Sequence, residues 1–518
     1  MRNANLVSTR NLNINLYQMK KINYLLASAL FIAAGCEKSP VDQGTTDEGN
    51  VYMQFSVKML STRSQTDNEG EGNSNSDATP DTEVGLAKEN TISTVDIVLV
   101  GSNTVKATNV TPVAADGSTY VAKFDKKTIA AGKYDVYIYA NCTSPETFAI
   151  DQTSDADVSA MTQDNKFWMT NAYAAAQVDI TAEALKACTT PQNPYNLGAH
   201  TVERSMARFD YKQSGAFNMG AGITLTLTDA ALINQSKAHY MFRRVTAGSE
   251  PTATNAVVGG AEVPTNWVVD TDWSNKVAGN FDAQLSDPSN WHWTSLASLT
   301  TNDNYDGDYK IWCYAKENTI PGTTAQKHNV STGVVFKGEL AAGETASDAV
   351  KTAMAAGERI YVFNNVLYGA WSDVEAAAKA GTDPTLQAAY NQAATGVAAD
   401  AEPTGAAAAA AGFTGYSPKN GTYYVYYYYW NRHNDNLDPY NMGVMEFAVV
   451  RNNVYKLAVD KISRFGHPTP PDPSNPDPDP EPDPDPVDPD DPDESVNYYF
   501  NVTVKVLPWT VRINNIEF

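Results

Sequence analysis

Apolar and polar side chains alternate with a period of two residues in many segments of this 518-residue chain. In the first of these segments the apolar row is Val51, Met53, Phe55, Val57 and Met59, and the residues between them are mostly polar. Successive side chains of a β-strand point to opposite faces, so such a row is typical of a strand that buries one face. The pattern predicts a half-buried strand at 51–59.

Similar patterns predict strands through most of the chain as far as residue 459. The clearest are 95–99, 134–138, 223–227, 333–340, 359–371, 422–430 and 444–459. Tyrosine, glycine and threonine-rich alternation favour β-structure as well. We expect an all-β protein with minor α content, built as two β-sandwich domains in tandem at 64–200 and 201–467.

A minority of helix is predicted in the second domain. One helix is expected at 372–380, where Ser372 could cap the first turn, and another at 383–394, where Pro384 takes the first helical position. The alanine run at 406–411 fits either a helix or a loop.

The C-terminal part of the chain changes character at residue 468. From 468 to 494 it consists mostly of Asp-Pro repeats, with eleven acidic residues and no basic one. Proline favours extended geometry and like charges resist collapse, so this linker could reach roughly 80 Å at about 3.1 Å per residue. It can therefore carry the segment that follows, 495–518, to another molecule.

That last segment again alternates, in two parts separated by Pro508. Its apolar rows are Tyr498, Phe500, Val502, Val504 and Val506, followed by Trp509, Val511 and Ile513. Left free, such strands would be an aggregation hazard. We interpret 495–518 as a donor strand that needs a sheet, used in two parts because proline cannot donate to a ladder.

The N-terminal residues predict export. Basic residues at 19–21 precede an apolar stretch at 22–34 that is too short to span a bilayer, so 1–35 is interpreted as a signal peptide, with Met19 as the expected start of translation. Small residues lead to Cys36, as in a bacterial lipobox, and Cys36 is the expected lipidation site. The alternative is an ordinary signal peptide in which Cys36 is incidental.

The net charge and the residue motifs argue against several classes of function. A net charge of −23, with no basic cluster after residue 63, argues against a nucleic-acid partner. No catalytic fingerprint is present, and we expect neither an enzyme nor a cofactor. The loop 302–308 has the look of a calcium loop, but Cys313 stands where the bidentate glutamate belongs, so no metal site is expected. Cys142, Cys188 and Cys313 cannot all pair with one another.

Two strands without an obvious sheet suggest strand replacement. Cleavage after Arg63, giving a new N-terminus at Ser64, would release the lipidated propeptide 36–63 together with its strand, in which Val51, Met53, Phe55 and Val57 form the apolar face. A neighbour's tail could fill the vacancy by β-augmentation. The alternative is that the tail folds back onto its own second domain and Arg63 is an ordinary loop residue.

Four stretches resemble the fimbrillin family of type V, lipoprotein-derived pilins, and within it the shaft subunits of minor fimbriae. They are the lipobox with Arg63, then 201–208, 450–457, and the linker with 504–509. The resemblance implies tandem β-sandwiches, lipid-dependent export to the outer membrane, cleavage after an arginine and polymerisation by strand donation. Glu203 and Arg204 are expected to be structural.

The same resemblance implies the partners. They are further copies of the chain in a homopolymer, anchor and tip pilin subunits, an arginine-specific cell-surface protease, and host or bacterial surface receptors, while the precursor is lipid-anchored. The other function considered is a surface glycan-binding lipoprotein or tip adhesin, in which the aromatic residues at 291–293 and 426–430 stack on sugars. Consecutive aromatics in a strand alternate between faces, which favours core packing over a sugar platform.

Overall fold

The computed structural model describes the chain in a series of ranges. They are residues 49–59, 85–114, 117–246, 256–258, 267–299, 308–398, 401–433, 438, 440–469, 490–493, 501–504, 507–508 and 511–517. Strands predominate and helices are few and short, so the expected all-β class is confirmed.

Nine strands precede residue 205, and all but β6 belong to one eight-stranded sheet. They are β1 Asn50–Met59, β2 Val95–Val100, β3 Thr104–Val110, β4 Thr119–Asp125, β5 Gly132–Ala140, β6 Thr153–Ser154, β7 Met169–Asn171, β8 Ala176–Ile180 and β9 Tyr195–Arg204. The order in the sheet is β3-β2-β5-β7-β9-β1-β4, with β8 paired to β5.

Eleven further strands lie between residues 207 and 315. They are β10 Ala207–Lys212, β11 Phe217–Gly220, β12 Ile223–Ile233, β13 Gln235–Ser236, β14 His239–Tyr240, β15 Arg244–Thr246, β16 Ala256–Val258, β17 Val268–Val269, β18 Phe281–Asp282, β19 Thr294–Ser295 and β20 Tyr309–Ala315. Several of them are two- or three-residue pairs that brace loops, such as β13 with β18 and β6 with β14.

The remaining strands extend from residue 333 to 517. They are β21 Gly333–Ala342, β22 Ile360–Phe363, β23 Val366–Tyr368, β24 Thr414–Tyr416, β25 Tyr423–Trp430, β26 Asn453–Lys461, β27 Asn501–Val504, β28 Leu507–Pro508 and β29 Val511–Glu517. Two larger sheets result, one in the order β20-β10-β26-β29-β27 and the other in the order β11-β12-β21-β25.

Seven short helices complete the described structure. They are α1 Ala87–Asn90, α2 Val158–Met161, α3 Ala182–Ala187, α4 Asp348–Ala356, α5 Trp371–Lys379, α6 Pro384–Ala393 and α7 Gly405–Ala410. None of the described helices is long and apolar enough to cross a membrane.

The helix predictions hold with one correction. Asp383 caps α6 by accepting from the amides of Thr385 and Leu386, and the alanine run forms α7. Ser372 is not a cap, because α5 begins one residue earlier: Ala370 is the N-cap, and its amide donates to the Asp373 carboxylate.

Two strand predictions were too long. Within 359–371 the chain turns at Asn364 and Asn365, which adopt φ angles of 45° and 62°, so the segment is the hairpin β22–β23 followed by α5. In 444–459 only the part from Asn453 is a strand. The apolar residues at 444–450 are buried in turns instead, where Met445 takes a positive φ of 55°.

Separate apolar clusters lie against the two main groups of strands. One contains the inward residues of β1–β5 and β9, and the other joins the β10–β26 sheet to the β12–β21–β25 sheet. The strand β1 buries one face, which is the burial pattern that a period of two predicts. The strand β25 is buried on both faces, one in the core that the two sheets share and the other in a further cluster with Trp291 and Phe447.

Candidate assembly site

The strand β1 lies inside its sheet, between β4 and β9. It pairs antiparallel with β4 from Asn50↔Asp125 to Ser56↔Thr119, and parallel with β9 from Met53↔Tyr195 to Met59↔Val202. An interior strand supplies hydrogen-bonding groups to both neighbours, so β4 and β9 would each present an unpaired edge without it.

The face predicted to be apolar is the buried one. Val51, Met53 and Phe55 are 0% exposed and Val57 is 3% exposed, whereas the residues between them are half-buried or exposed. The Phe55 ring stacks on Tyr120 of β4 and lies edge-on to His200 of β9. At about 1.5–3 kcal/mol for each fully buried apolar side chain, these four residues contribute roughly 6–12 kcal/mol before ordering costs.

His200 of β9 is a buried titratable group that lies against this face of β1. Its imidazole is buried and lies 6.5 Å from the Phe55 ring, centroid to centroid. Burial lowers the pKa of His200, because the charged imidazolium would lose its hydration, and a hydrogen bond with the backbone of Leu197 offsets part of this effect. Burial therefore favours the neutral form of the His200 imidazole beside β1.

The predicted processing sites lie outside the described residues. These are Cys36, Arg63 and Ser64. The described part of β1 ends at Met59, four residues before Arg63, and the description resumes at Gly85, just before α1.

The backbone of the C-terminal tail pairs with the chain's own sheet. The strand β29 runs parallel to β26, from Val454↔Val511 to Lys461↔Glu517, and β27 pairs antiparallel with β29. Val502 and Val504 lie in β27 and Val511 and Ile513 in β29, while Leu507–Pro508 forms the short strand β28, which pairs with β26. Tyr498, Phe500, Val506 and Trp509 lie outside the described residues.

In the isolated molecule these backbone segments therefore follow the alternative in which the tail folds back onto its own chain. In this arrangement β29 extends the sheet beyond β26, and β27 is the last strand of the sheet on that side. Addition of a strand to a sheet edge relies on main-chain hydrogen bonds, which a neighbouring molecule's sheet can supply equally well.

A buried charge cluster joins α1, next to the processing segment, to the β10–β26 sheet. The Arg208 guanidinium binds the Glu89 carboxylate at 2.8 and 3.0 Å and the Asp210 carboxylate at 2.8 and 2.9 Å. Tyr314 donates its hydroxyl to Glu89, as does the amide of Leu86. Burial raises the pKa of Glu89 to about 6, and its hydrogen bonds and the nearby Arg204 guanidinium hold it from rising further.

Two of the resemblance stretches, 201–208 and 450–457, meet in the fold. Arg204 donates to the Asn452 side chain at 3.2 Å, and the Asn452 amide donates to the Met206 carbonyl at 2.8 Å. The contact connects the end of β9, the strand beside β1, with the start of β26, the strand beside the tail.

Two further arginine–carboxylate pairs lie nearby. Arg243 binds Glu203 through two bonds of 2.7 and 2.8 Å, and Arg451 binds Glu317 at 2.7 Å. All four side chains are fully buried. Glu203 is thus a structural ion-pair partner, as expected. The ion-pair roles of Arg243, Arg451 and Glu317 were not predicted, because isolated charged residues form no recognisable pattern in the sequence.

The aromatic residues considered for glycan binding mostly lie in the core. Tyr426 to Trp430 are all buried along β25, and Trp291 is buried with its indole N–H donating to the Gln284 carbonyl. His292 and Trp293 are exposed, and the Trp293 ring lies beside the buried Tyr426. The described residues therefore present no row of exposed rings on which a sugar could stack.

The residues considered for metal binding or disulfides have ordinary surroundings where they are described. Of the loop 302–308 only Asp308 is described, and it forms an exposed ion pair with Lys212. Among the described residues there is no group of three or more side chains suited to a metal ion. Cys142, Cys188 and Cys313 form no disulfide with one another.

Residues 419–515 match the family model for the C-terminal region of fimbrillin, the major fimbrial subunit protein type IV. This range covers β25, β26 and the tail strands. No curated protein sequence matches the chain.

Several solved structures are similar to this chain at low identity and with low TM-scores. A presumed cell adhesion protein from Parabacteroides distasonis is 12% identical with a TM-score of 0.38, over 90% of this chain and 98% of the other. One from Bacteroides eggerthii is 12% identical with a TM-score of 0.36, over 91% and 99%. The tip fimbrial protein Mfa3 from Porphyromonas gingivalis, truncated at its C-terminus, is 11% identical with a TM-score of 0.29, over 55% and 77%.

Proposed function

We propose that the protein is a shaft subunit of a bacterial fimbrium that supports adhesion, a proposal supported by the match of residues 419–515 to the fimbrillin C-terminal family model. In this proposal it is exported as a precursor lipidated at Cys36 and anchored at the outer membrane. It is then cleaved between Arg63 and Ser64 by an arginine-specific surface protease, and polymerised by donor-strand exchange. It acts as a structural component and not as an enzyme.

The interior position of β1 carries the proposal. Because β1 lies between β4 and β9, its loss would leave two facing edges and a row of apolar pockets. Such a vacancy is costly, since buried backbone groups need partners and apolar pockets need to exclude water. A strand of matching pattern from another molecule would remove both costs.

The tail has the pattern that the vacancy needs. The row Val51, Met53, Phe55, Val57 and Met59 has five members with a period of two, and so has the row at 498, 500, 502, 504 and 506. Equal length and period allow an incoming strand to fill successive pockets without shifting register. The partners are therefore further copies of this chain, with anchor and tip subunits at the ends of the fibre.

Deletion of Asn497–Phe518 tests the proposal. The truncated chain should be exported, cleaved and folded, and should remain a monomer in sheared surface fractions, as measured by light scattering and electron microscopy. The full chain with Val487 replaced by Ala in the linker serves as the control and should form filaments. Normal filaments from the truncated chain would refute donation by the tail.

A further inference from the structure

The described end of the acidic linker packs against another loop of the same chain. Asp493 is fully buried, although it follows a long series of Asp-Pro repeats, and Asp490 to Asp493 lie along the loop 326–331. This loop follows a short 3-10 turn at Thr323–Ala325 and leads into β21.

Two main-chain hydrogen bonds hold this segment in an antiparallel arrangement. The His328 amide donates to the Asp491 carbonyl, and the Asp493 amide donates to the Gln326 carbonyl, both at 3.2 Å. Lys327 and Pro492 face each other between these bonds. In such a pair neither central residue uses its own N–H, so proline at the centre loses no hydrogen bond.

Side chains add selectivity for an acidic residue after the proline. The buried Ser331 hydroxyl donates to the Asp493 carboxylate. Lys327 lies 3.5 Å from Asp490, in an exposed pair that contributes little. The carboxylate of Asp493 is therefore the main side-chain determinant of this contact.

The loop is held in place from behind by residues outside the linker. The Asn234 side chain donates to the carbonyls of His328 and Ser331 at 2.7 and 2.8 Å. The Gln326 amide group donates to the Gly443 carbonyl and accepts from the Phe447 amide, both at 2.8 Å. A binding surface fixed in this way loses little entropy when a peptide binds it.

We propose that the loop 326–331 is a binding site for the sequence Asp-Pro-Asp, and that its occupant is the acidic linker of the same chain. In an alternating Asp-Pro segment only the aspartates carry an N–H, and residues two apart in an extended chain point the same way. Such a segment therefore offers N–H donors along one edge alone, and that edge is the one this loop contacts.

The linker contains this sequence four times. The copies are at 477–479, 483–485, 488–490 and 491–493. The last copy occupies the loop in this structure. The repeats therefore provide the same motif at several distances from the tail.

Docking of the last copy limits the reach of the tail, a consequence that rests on the proposed function. Eight residues separate Asp493 from Asn501, which allows at most about 28 Å, whereas the 32 residues from Thr469 to Asn501 allow about 110 Å. Docked, the tail stays near its own sheet; released, it can reach a neighbouring subunit.

Hydrogen–deuterium exchange on the unassembled full chain tests the site. One variant replaces the last aspartate of all four copies by Ala, at 479, 485, 490 and 493. Its matched control replaces only the first three of these and keeps Asp493. We expect peptides covering 326–331 to exchange in the control as in the wild type, and at least about tenfold faster in the fourfold variant, because the amide of His328 loses its acceptor.

The second part of the experiment uses a synthetic peptide, Asp-Asp-Pro-Asp-Glu. Added in excess to the fourfold variant, it should restore slow exchange at 326–331. Equal exchange in the fourfold variant and the wild type would overturn the proposal, as would equally fast exchange in the fourfold variant and its control. Because the measurement needs no filaments, its outcome is independent of whether the chain forms a fimbrium.

Discussion

Phe55 of β1 stacks on Tyr120 of β4 with ring centroids 5.4 Å apart and planes inclined by 16°. Both rings are fully buried. The contact joins a strand from the proposed removable propeptide to a strand that remains after cleavage. It therefore stabilises the precursor specifically, and mutation of Phe55 should affect the precursor and the cleaved subunit differently.

Phe55→Ala should lower the free energy of unfolding of the uncleaved precursor by about 3–5 kcal/mol, through lost burial and the cavity left beside Tyr120. Urea denaturation of the purified precursor measures this. Tyr52→Ala on the half-buried face should cost less than half as much. Filaments assembled from cleaved Phe55→Ala should resist denaturant like wild-type filaments; equal destabilisation of both forms would contradict removal of β1.

Arg63→Ala should cause a lipidated, unpolymerised precursor to accumulate, because the bond between Arg63 and Ser64 would no longer be recognised. N-terminal sequencing of cell-surface material gives the result, with Ser64 as the first residue of the wild-type subunit. Arg63→Lys distinguishes two kinds of protease. An arginine-specific protease should leave this variant uncut, whereas one that accepts both basic residues should cut it. Wild-type filaments beginning at another residue would mean that the cleavage site is wrongly assigned.

His200 should make the precursor less stable as the pH falls. Its pKa in the folded chain is lowered by burial, whereas in the unfolded chain it is near 6.5. Below about pH 6.5 the unfolded state therefore binds the proton first, and the free energy of unfolding decreases with falling pH.

Urea denaturation at pH 7.5 and 5.5 measures the effect of His200. The loss of stability between these values should be smaller in His200→Phe than in the wild type. The exposed His292 provides a control, since His292→Phe should keep the wild-type difference. An unchanged pH dependence in His200→Phe would show that this imidazole does not titrate as proposed.

Removal of Glu89 should be costly, since Arg208 would keep one carboxylate partner, Asp210, in a fully buried site. Glu89→Ala is expected to lower the free energy of unfolding by about 3 kcal/mol. In the neighbouring pair Lys88–Asp164, which is exposed, Lys88→Ala should cost less than about 1 kcal/mol.

The coupling between Glu89 and Arg208 can be measured with a double mutant. Glu89→Met combined with Arg208→Met should cost less than the sum of the two single changes, because the double variant leaves neither the Glu89 carboxylate nor the Arg208 guanidinium buried without the other. Asp210 loses Arg208 in both the single and the double variant, so this cost cancels in the comparison. Strict additivity would contradict a direct pairing in solution.

Strands with a clear period of two were predictable from the sequence, because burial of one face needs only local alternation. This holds for β1, in which half-buried and buried residues alternate from Asn50 to Val57. The strand β25 was also predicted, but its aromatic residues are buried on both faces. Prediction failed where apolar residues are buried without regular pairing, as at 444–450. The prediction of Ser372 as an N-cap was also wrong, because α5 begins at Trp371 and the Asp373 side chain closes its first turn.

The sequence by itself determined the strand character of β1, the apolar rows, and the acidic Asp-Pro linker with its repeated motif, since each is encoded in adjacent residues. Only the tertiary structure decided which strands lie beside β1, that the stretches around Arg204 and Asn452 meet, and that Asp493 is seated against Ser331. These contacts join residues from about 70 to 250 positions apart, and no local pattern specifies such a pairing. Long-range burial and hydrogen-bond satisfaction specify it instead.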